Sequence, residues 1–88
     1  MFRIERLSGD TLRLSGRLQS EHLMELDSEI VRSGPQTVLD LAEISLLDRP
    51  TLRFLIQREA EGVVLVNVPA FIREWMRIEE QRSHAPPV

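Results

Sequence analysis

The chain contains no cysteine and no lysine, and none of its apolar runs is long. Without cysteine, disulfide bonds, thiolate catalysis and zinc-cysteine sites are excluded. No run approaches the roughly 20 apolar residues that cross a bilayer, and the first residues lack the apolar segment of a signal peptide. We therefore expect a cytoplasmic protein that does not insert directly into a membrane.

Residues for catalysis are equally scarce. The two histidines, His22 and His84, have no ligand or triad spacing, and the four glycines occur singly rather than in a phosphate-binding loop. Asp40 and Asp48 could in principle form an acid-base pair, but a separation of eight residues does not imply that they are close. We expect a protein that is not an enzyme and that holds no metal and no cofactor.

The charged residues are mixed along the sequence. Fourteen acidic residues and eleven basic residues, all of them arginine, give a formal net charge of −3. Because the basic residues are not concentrated on one face, nucleic acid is not an expected partner. A length of 88 residues, 42% of them apolar, suits one domain with one core.

The pattern of the first half predicts a hairpin and then a helix. Residues 2–7 and 11–15 alternate apolar and polar side chains around a Ser-Gly-Asp turn, which is typical of two strands with one buried face. A helix follows, with Ser20 as its N-cap and Gly34-Pro35 at its end. Its apolar stripe consists of Leu23, Met24, Leu26, Ile30 and Val31.

The second half alternates strands and helices. Residues 38–41 and 63–66 are near-continuous apolar runs, and we expect buried strands there, the first covered on both faces. Between them a helix runs from about Arg49 to Glu61 with Asp48 as its cap. A third helix begins at Pro69 and carries Phe71, Ile72, Trp75, Met76 and Ile78 on one broad face.

This order of elements predicts an α/β fold. It is a mixed, mostly parallel four-stranded sheet with about three helices, in the order β-β-α-β-α-β-α. We assign residues 1–80 to a single domain. We expect residues 81–88, which are polar and contain Pro-Pro, to form a flexible tail.

The chain resembles the STAS domain, the fold of bacterial anti-sigma-factor antagonists. Residues 11–18 look like that family's second strand and glycine turn, residues 38–48 are similar to its central strand and the approach to its switch site, and residues 62–70 look like its next strand and helix start. The resemblance covers roughly residues 2 to 79. It implies a signalling module that binds and regulates a protein such as an anti-sigma factor or a sensor kinase.

The switch position departs from that family. In its regulatory members an aspartate precedes two hydroxyl residues and a glycine, and the second hydroxyl is phosphorylated. Here Asp48 is followed by Arg49, Pro50 and Thr51. We expect no phosphorylation at Pro50. Thr51 is either a displaced acceptor at a helix N-terminus or a residue with ordinary local hydrogen bonds.

The expected binding surface is the set of loops at the carboxyl ends of the strands, where open α/β sheets generally bind. Phe54 lies opposite the apolar stripe of the second helix and forms a mixed apolar and arginine patch with Arg49, Pro50 and Arg58, unless it packs into the core. Asp48 either contacts the partner or only caps the helix. The partner-binding candidates are Arg17, Gln19, Ser20, Asp48, Arg49, Pro50, Thr51, Phe54, Arg58 and Asn67.

Two other functions stay open. Short proteins of this kind without a phosphorylatable serine resemble cytoplasmic accessory subunits of ABC-type lipid or solute transporters, docked on the ATPase, and some relatives of the family are thought to bind nucleotides. The family also usually has a fifth strand and a final helix. Their absence would leave the strand at residues 63–66 uncovered, which predicts a homodimer or a partner on that surface.

Overall fold

The computed structural model describes residues 1–83, which form one four-stranded sheet and its helices. The elements are β1 (Phe2–Arg6), β2 (Thr11–Leu18), a 3-10 turn (Ser20–His22), α1 (Leu23–Ser33), β3 (Val38–Leu47), α2 (Arg49–Ala60), β4 (Val64–Val66) and α3 (Ala70–Ser83). The strands lie in the order β1-β2-β3-β4. The first pair is antiparallel and the other two are parallel, so the predicted mixed sheet and element order are confirmed.

The helices lie side by side. Arg58 of α2 pairs with Asp27 of α1 at 3.1 Å, and Arg73 of α3 pairs with Glu59 of α2 at 3.0 Å. Right-handed crossovers between neighbouring parallel strands place α1 and α2 on the same face of the sheet. The core between this helical layer and the sheet is made of leucine, isoleucine, valine and methionine: Leu12, Leu14, Leu18, Leu26, Ile30, Leu39, Leu41, Ile44, Leu47, Leu52, Leu55, Val63, Leu65, Ile72 and Met76.

The prediction of a central strand covered on both faces is wrong. Val38 pairs with Val64, and both alternate with the buried Leu39 and Leu65. Val64 is exposed and Val38 only half-buried. The valines at positions 38 and 64 reflect the preference of β-branched residues for strands rather than a second layer of helices.

Strand β3 is longer than the four-residue strand predicted at positions 38–41. It extends to Leu47 because β2 pairs with it along its length, from Thr11 opposite Val38 to Leu18 opposite Leu47. Two register shifts interrupt the pairing, and each adds one residue to β3. These irregularities disturb the alternation of buried and exposed side chains. For this reason the sequence predicts a loop, rather than a strand, before the second helix.

Helix α1 begins differently from the prediction. Ser20 is not its N-cap. The chain first makes the 3-10 turn, in which the backbone amide of Gln19 donates to Nδ1 of His22 at 3.1 Å. Gly34 ends α1 as predicted, with a φ of 96° that favours glycine.

The apolar stripes of α1 and α3 are narrower than predicted. On α1, Leu26 and Ile30 are buried, but Met24 and Val31 are exposed. On α3, Ile72 and Met76 are buried and Trp75 is half-buried, while Phe71 and Ile78 are exposed. One face of each helix meets the sheet, so apolar residues at the margins of the stripe remain in solvent.

Helix α3 continues to Ser83, past the predicted start of the tail at residue 81. The carboxylate of Glu79 anchors its last turns, because two arginines of α2 bind that group. Residues 84–88, the rest of the predicted tail, lie outside the described residues. Within residues 1–83 no helix combines the length and the apolar character needed to cross a membrane.

Candidate functional site

The ends of β2 and β3 lie side by side, since Leu18 pairs with Leu47. The residues that follow each strand therefore meet at one end of the sheet. This brings Gln19 and Ser20 next to Asp48, as the parallel strands predicted. The meeting point also holds the first turn of α2.

Asp48 joins the two segments. Its Oδ1 accepts the amide hydrogen of Thr51 at 3.0 Å, which confirms it as the N-cap of α2, and its Oδ2 accepts the amide hydrogen of Ser20 at 2.8 Å. Burial acts to raise the pKa of Asp48, but the hydrogen bonds from Thr51 and Ser20 outweigh it and hold that pKa below its usual value. The carboxylate is therefore ionised at neutral pH, with both oxygens occupied.

The two residues at and after the switch position have opposite exposures. Pro50 is exposed in the first turn of α2, and Thr51 is completely buried. Proline is well suited to this turn because the first amides of a helix have no partner within it. Phosphorylation of Thr51 would require this turn to open.

Arg49 is half-exposed, and its guanidinium is already engaged. Its Nε donates to Oε1 of Glu79 at 3.2 Å, and Nε of Arg53 donates to the same oxygen at 2.9 Å. Glu79 is only 2% exposed. The hydrogen bond from Arg53 lowers the pKa of Glu79, burial opposes this, and the hydrogen bond from Arg49 adds to the lowering.

Glu79 and Arg53 were missed in the sequence. A signal was present, because Glu79 follows Ile72 and Met76 at the spacing of one helix face, so a carboxylate had to lie on the buried side of α3. A buried carboxylate requires a cationic partner. Which arginine supplies it depends on how α2 and α3 pack.

The predicted open patch of Phe54, Pro50 and Arg58 is not formed as expected. Phe54 is half-buried and packs against the core, and the guanidinium carbon of Arg58 lies 4.8 Å from the centre of its ring. Arg58 also pairs with Asp27 and Glu61. Arg58, on the side of α2 that the helical wheel assigned to solvent, therefore reaches α1.

Asn67 does not join the other candidates. It has a left-handed φ of 53°, and its Nδ2 donates to Oδ2 of Asp40 at 3.2 Å. Oδ1 of Asp40 accepts the amide hydrogen of Ala42, so Asp40 has the structural role expected of it. Strand β4 ends opposite Asp40, and seven residues of β3 at about 3.3 Å each place Asn67 roughly 20 Å from Asp48.

The exposed residues around Asp48 form a small, arginine-containing surface. We call it the tip surface and define it as Arg17, Ser20, Arg49 and Pro50, all of which are exposed. Gln19 is half-buried beside it. Among residues 1–83, no group of three or more histidine and carboxylate side chains is placed to hold a metal ion.

The chain has the STAS-domain fold of the anti-sigma-factor antagonists, as the resemblance implied. It matches the structure of the anti-sigma factor antagonist SpoIIAA in its unphosphorylated form with a TM-score of 0.63 and 13% identity, over 89% of this chain and 83% of that one. It matches the Bacillus cell fate determinant SpoIIAA in the phosphorylated form with a TM-score of 0.64 and 14% identity, over 94% and 86%. The sequence matches no protein-family model and no curated protein.

Proposed function

We propose that this chain is a non-enzymatic protein-binding module that regulates a partner of the anti-sigma-factor or serine-kinase type. The partner binds the tip surface, and no serine phospho-switch controls the binding. One observation carries the proposal: Asp48 binds the loop after β2 and the first turn of α2 into a single surface, within the fold of an anti-sigma factor antagonist.

The composition of the tip surface favours a protein partner. Arginine is enriched in protein interfaces, and the tip surface contains two exposed arginines, Arg17 and Arg49, together with the exposed Pro50. Arg49 is held by Glu79, so little side-chain entropy is lost when a partner binds it. Its exposed half remains available to a partner.

We infer the absence of a phospho-switch from the residues in the first turn of α2. SpoIIAA has been solved in a phosphorylated and an unphosphorylated form. Two features of this chain support the inference, because Pro50 has no hydroxyl and the neighbouring Thr51 is buried. We infer that binding is controlled by the amount of the protein or of its partner.

A photo-crosslinking amino acid at position 50 of the full chain tests the proposal. The control carries the same amino acid at Ile78, which is exposed on α3. Crosslinking of an anti-sigma factor or a serine kinase at position 50, and not at position 78, supports the proposal. Equal crosslinking at both positions, or none at position 50, contradicts it.

The same experiment separates the alternatives. A transporter ATPase crosslinked at position 50 identifies an accessory subunit of an ABC-type transporter and overturns the regulatory proposal.

A nucleotide titration followed by NMR tests the third function, which is nucleotide binding. Saturable shifts of the Ser20 and Thr51 amides would assign nucleotide binding to the tip surface.

A further inference from the structure

The solvent-facing side of α1 carries two large apolar side chains. Met24 is 86% exposed and Val31 is 74% exposed. They are seven residues apart, which is two helical turns, so they share one face of the helix. A single exposed apolar residue is ordinary, but two on one helix face form a patch.

A small residue lies between them. Ser28 is exposed on the same face, and its hydroxyl donates to the backbone oxygen of Met24 at 3.0 Å. Its hydrogen bond is thus made within α1. A small side chain between two large ones leaves a notch into which a side chain of another helix fits.

The charges at the two ends of this face are opposite. Glu21 and Glu25 are exposed near the start of α1, and neither has an ion-pair partner within residues 1–83. Arg32 lies near its end with a side chain that is 73% exposed, and its one ion pair within residues 1–83 is with Glu29 at 3.4 Å. One end of the face therefore combines Met24 with acidic residues, and the other end combines Val31 with the basic Arg32.

We propose that this face binds a second copy of the chain, with the two α1 helices antiparallel about a two-fold axis near Ser28. Val31 of one copy then packs against Met24 of the other, and Arg32 reaches Glu25 of the other. The same pairs form twice, as an isologous contact requires. A parallel arrangement would instead place acidic ends together and basic ends together, which costs free energy.

The size of the face predicts a weak dimer. Helix α1 has 11 residues and is about 16 Å long, so the contact falls below the roughly 1,000 Å² of a stable interface. Association should therefore depend on concentration. Met24, Val31 and Arg32 lie outside the tip surface, so this proposal and the proposed function stand or fall separately.

Sedimentation velocity of the full chain tests the dimer. Between about 10 µM and about 1 mM, a range that brackets a Kd of about 100 µM, we expect the wild type to pass from monomer to dimer. Met24→Glu and Val31→Glu should stay monomeric. Val64→Glu, the same change at the exposed edge strand β4, is the matched control and should dimerise like the wild type.

Two results would overturn the proposal. One is a wild type that stays monomeric over the whole range. The other is a dimer that Val64→Glu abolishes and Met24→Glu does not, which would move the contact to β4. All three positions are exposed, so each variant should fold, and thermal melts check this.

A charge exchange tests the antiparallel arrangement. Arg32→Glu alone and Glu25→Arg alone should each weaken association at least about threefold, because each breaks two symmetry-related pairs. The double variant Glu25→Arg/Arg32→Glu restores opposite charges and should dimerise like the wild type. A double variant no better than the single ones would overturn the antiparallel arrangement.

Discussion

The carboxylate of Asp48 accepts the backbone amide hydrogen of Ser20 at 2.8 Å, across 28 residues of sequence. The same carboxylate caps α2 through Thr51. One side chain therefore sets both the start of a helix and the position of the loop beside it. Its removal should affect the stability of the domain and the order of the tip surface together.

We expect Asp48→Ala to lower the free energy of unfolding by about 1–2 kcal/mol, because the backbone amides of Thr51 and Ser20 lose their acceptor. Urea unfolding measures the change. Glu43→Ala, an exposed carboxylate on β3, is the control and should change stability by less than about 0.5 kcal/mol. Equal effects of the two variants would contradict the role assigned to Asp48.

The stability of the fold should fall in acid. The pKa values of Asp48 and Glu79 are lowered in the folded state, so the unfolded chain binds more protons and stability rises with pH. This contribution to the free energy of unfolding is complete above the ordinary pKa values of about 4. It is lost as the pH falls through the lowered pKa values. Urea unfolding from pH 7 to pH 2.5 should show the free energy of unfolding of the wild type converging on that of the Asp48→Asn variant. A difference that does not change with pH would refute the assignment.

Glu79→Gln should loosen the end of α3, because the glutamine lacks the charge that holds Arg49 and Arg53. We expect a lower Tm and faster hydrogen exchange at the amides of residues 79–82. Glu74→Gln is the control, since Glu74 is exposed and pairs with Arg77 of its own helix. An equally small effect of both variants would show that the buried pair contributes nothing specific.

Phe54→Ser should lower stability by roughly 2 kcal/mol, about half the cost of truncating a fully buried phenylalanine. The reason is that the ring is half-buried between the core and Arg58. Phe71→Ser, an exposed phenylalanine on α3, should cost much less. If thermal melts show the same small change for both, Phe54 is a docking residue after all.

Incubation with a serine kinase and ATP should add no phosphate to the wild type, because Pro50 has no acceptor and Thr51 is buried. Intact mass measurement checks this. Pro50→Ser places a hydroxyl at the exposed position and is the positive control for the kinase. A stoichiometric phosphate on Thr51 of the wild type would restore the displaced-switch hypothesis.

Much of the fold could be predicted from local patterns. The alternation in residues 2–15, the glycine at position 34 and the Asp48-Arg49-Pro50 helix start each depend on neighbouring residues. Right-handed crossovers then restrict the topology to a mostly parallel sheet. The order of elements follows from these local rules, which is why it was predicted correctly.

The site was predicted less completely. The loops after β2 and β3 were expected to meet, but Asn67 was placed with them although β4 ends beside Asp40. The sequence indicates that a segment forms a strand and says less about where it ends, because pairing with a neighbour determines strand length. The extension of β3 to Leu47 has the same cause.

The sequence by itself determined the strands, the helices, the N-cap at Asp48 and the loss of a hydroxyl at position 50, because each depends on residues a few positions apart. Only the tertiary structure decided that Asp48 also holds Ser20, that Arg49 and Arg53 share the buried Glu79, and that Phe54 packs against the core beside Arg58. The hydrogen bonds of Asp48 with Ser20 and of Arg49 and Arg53 with Glu79 join residues 26 to 30 positions apart. They depend on how the helices pack on the sheet, and no local pattern specifies that packing.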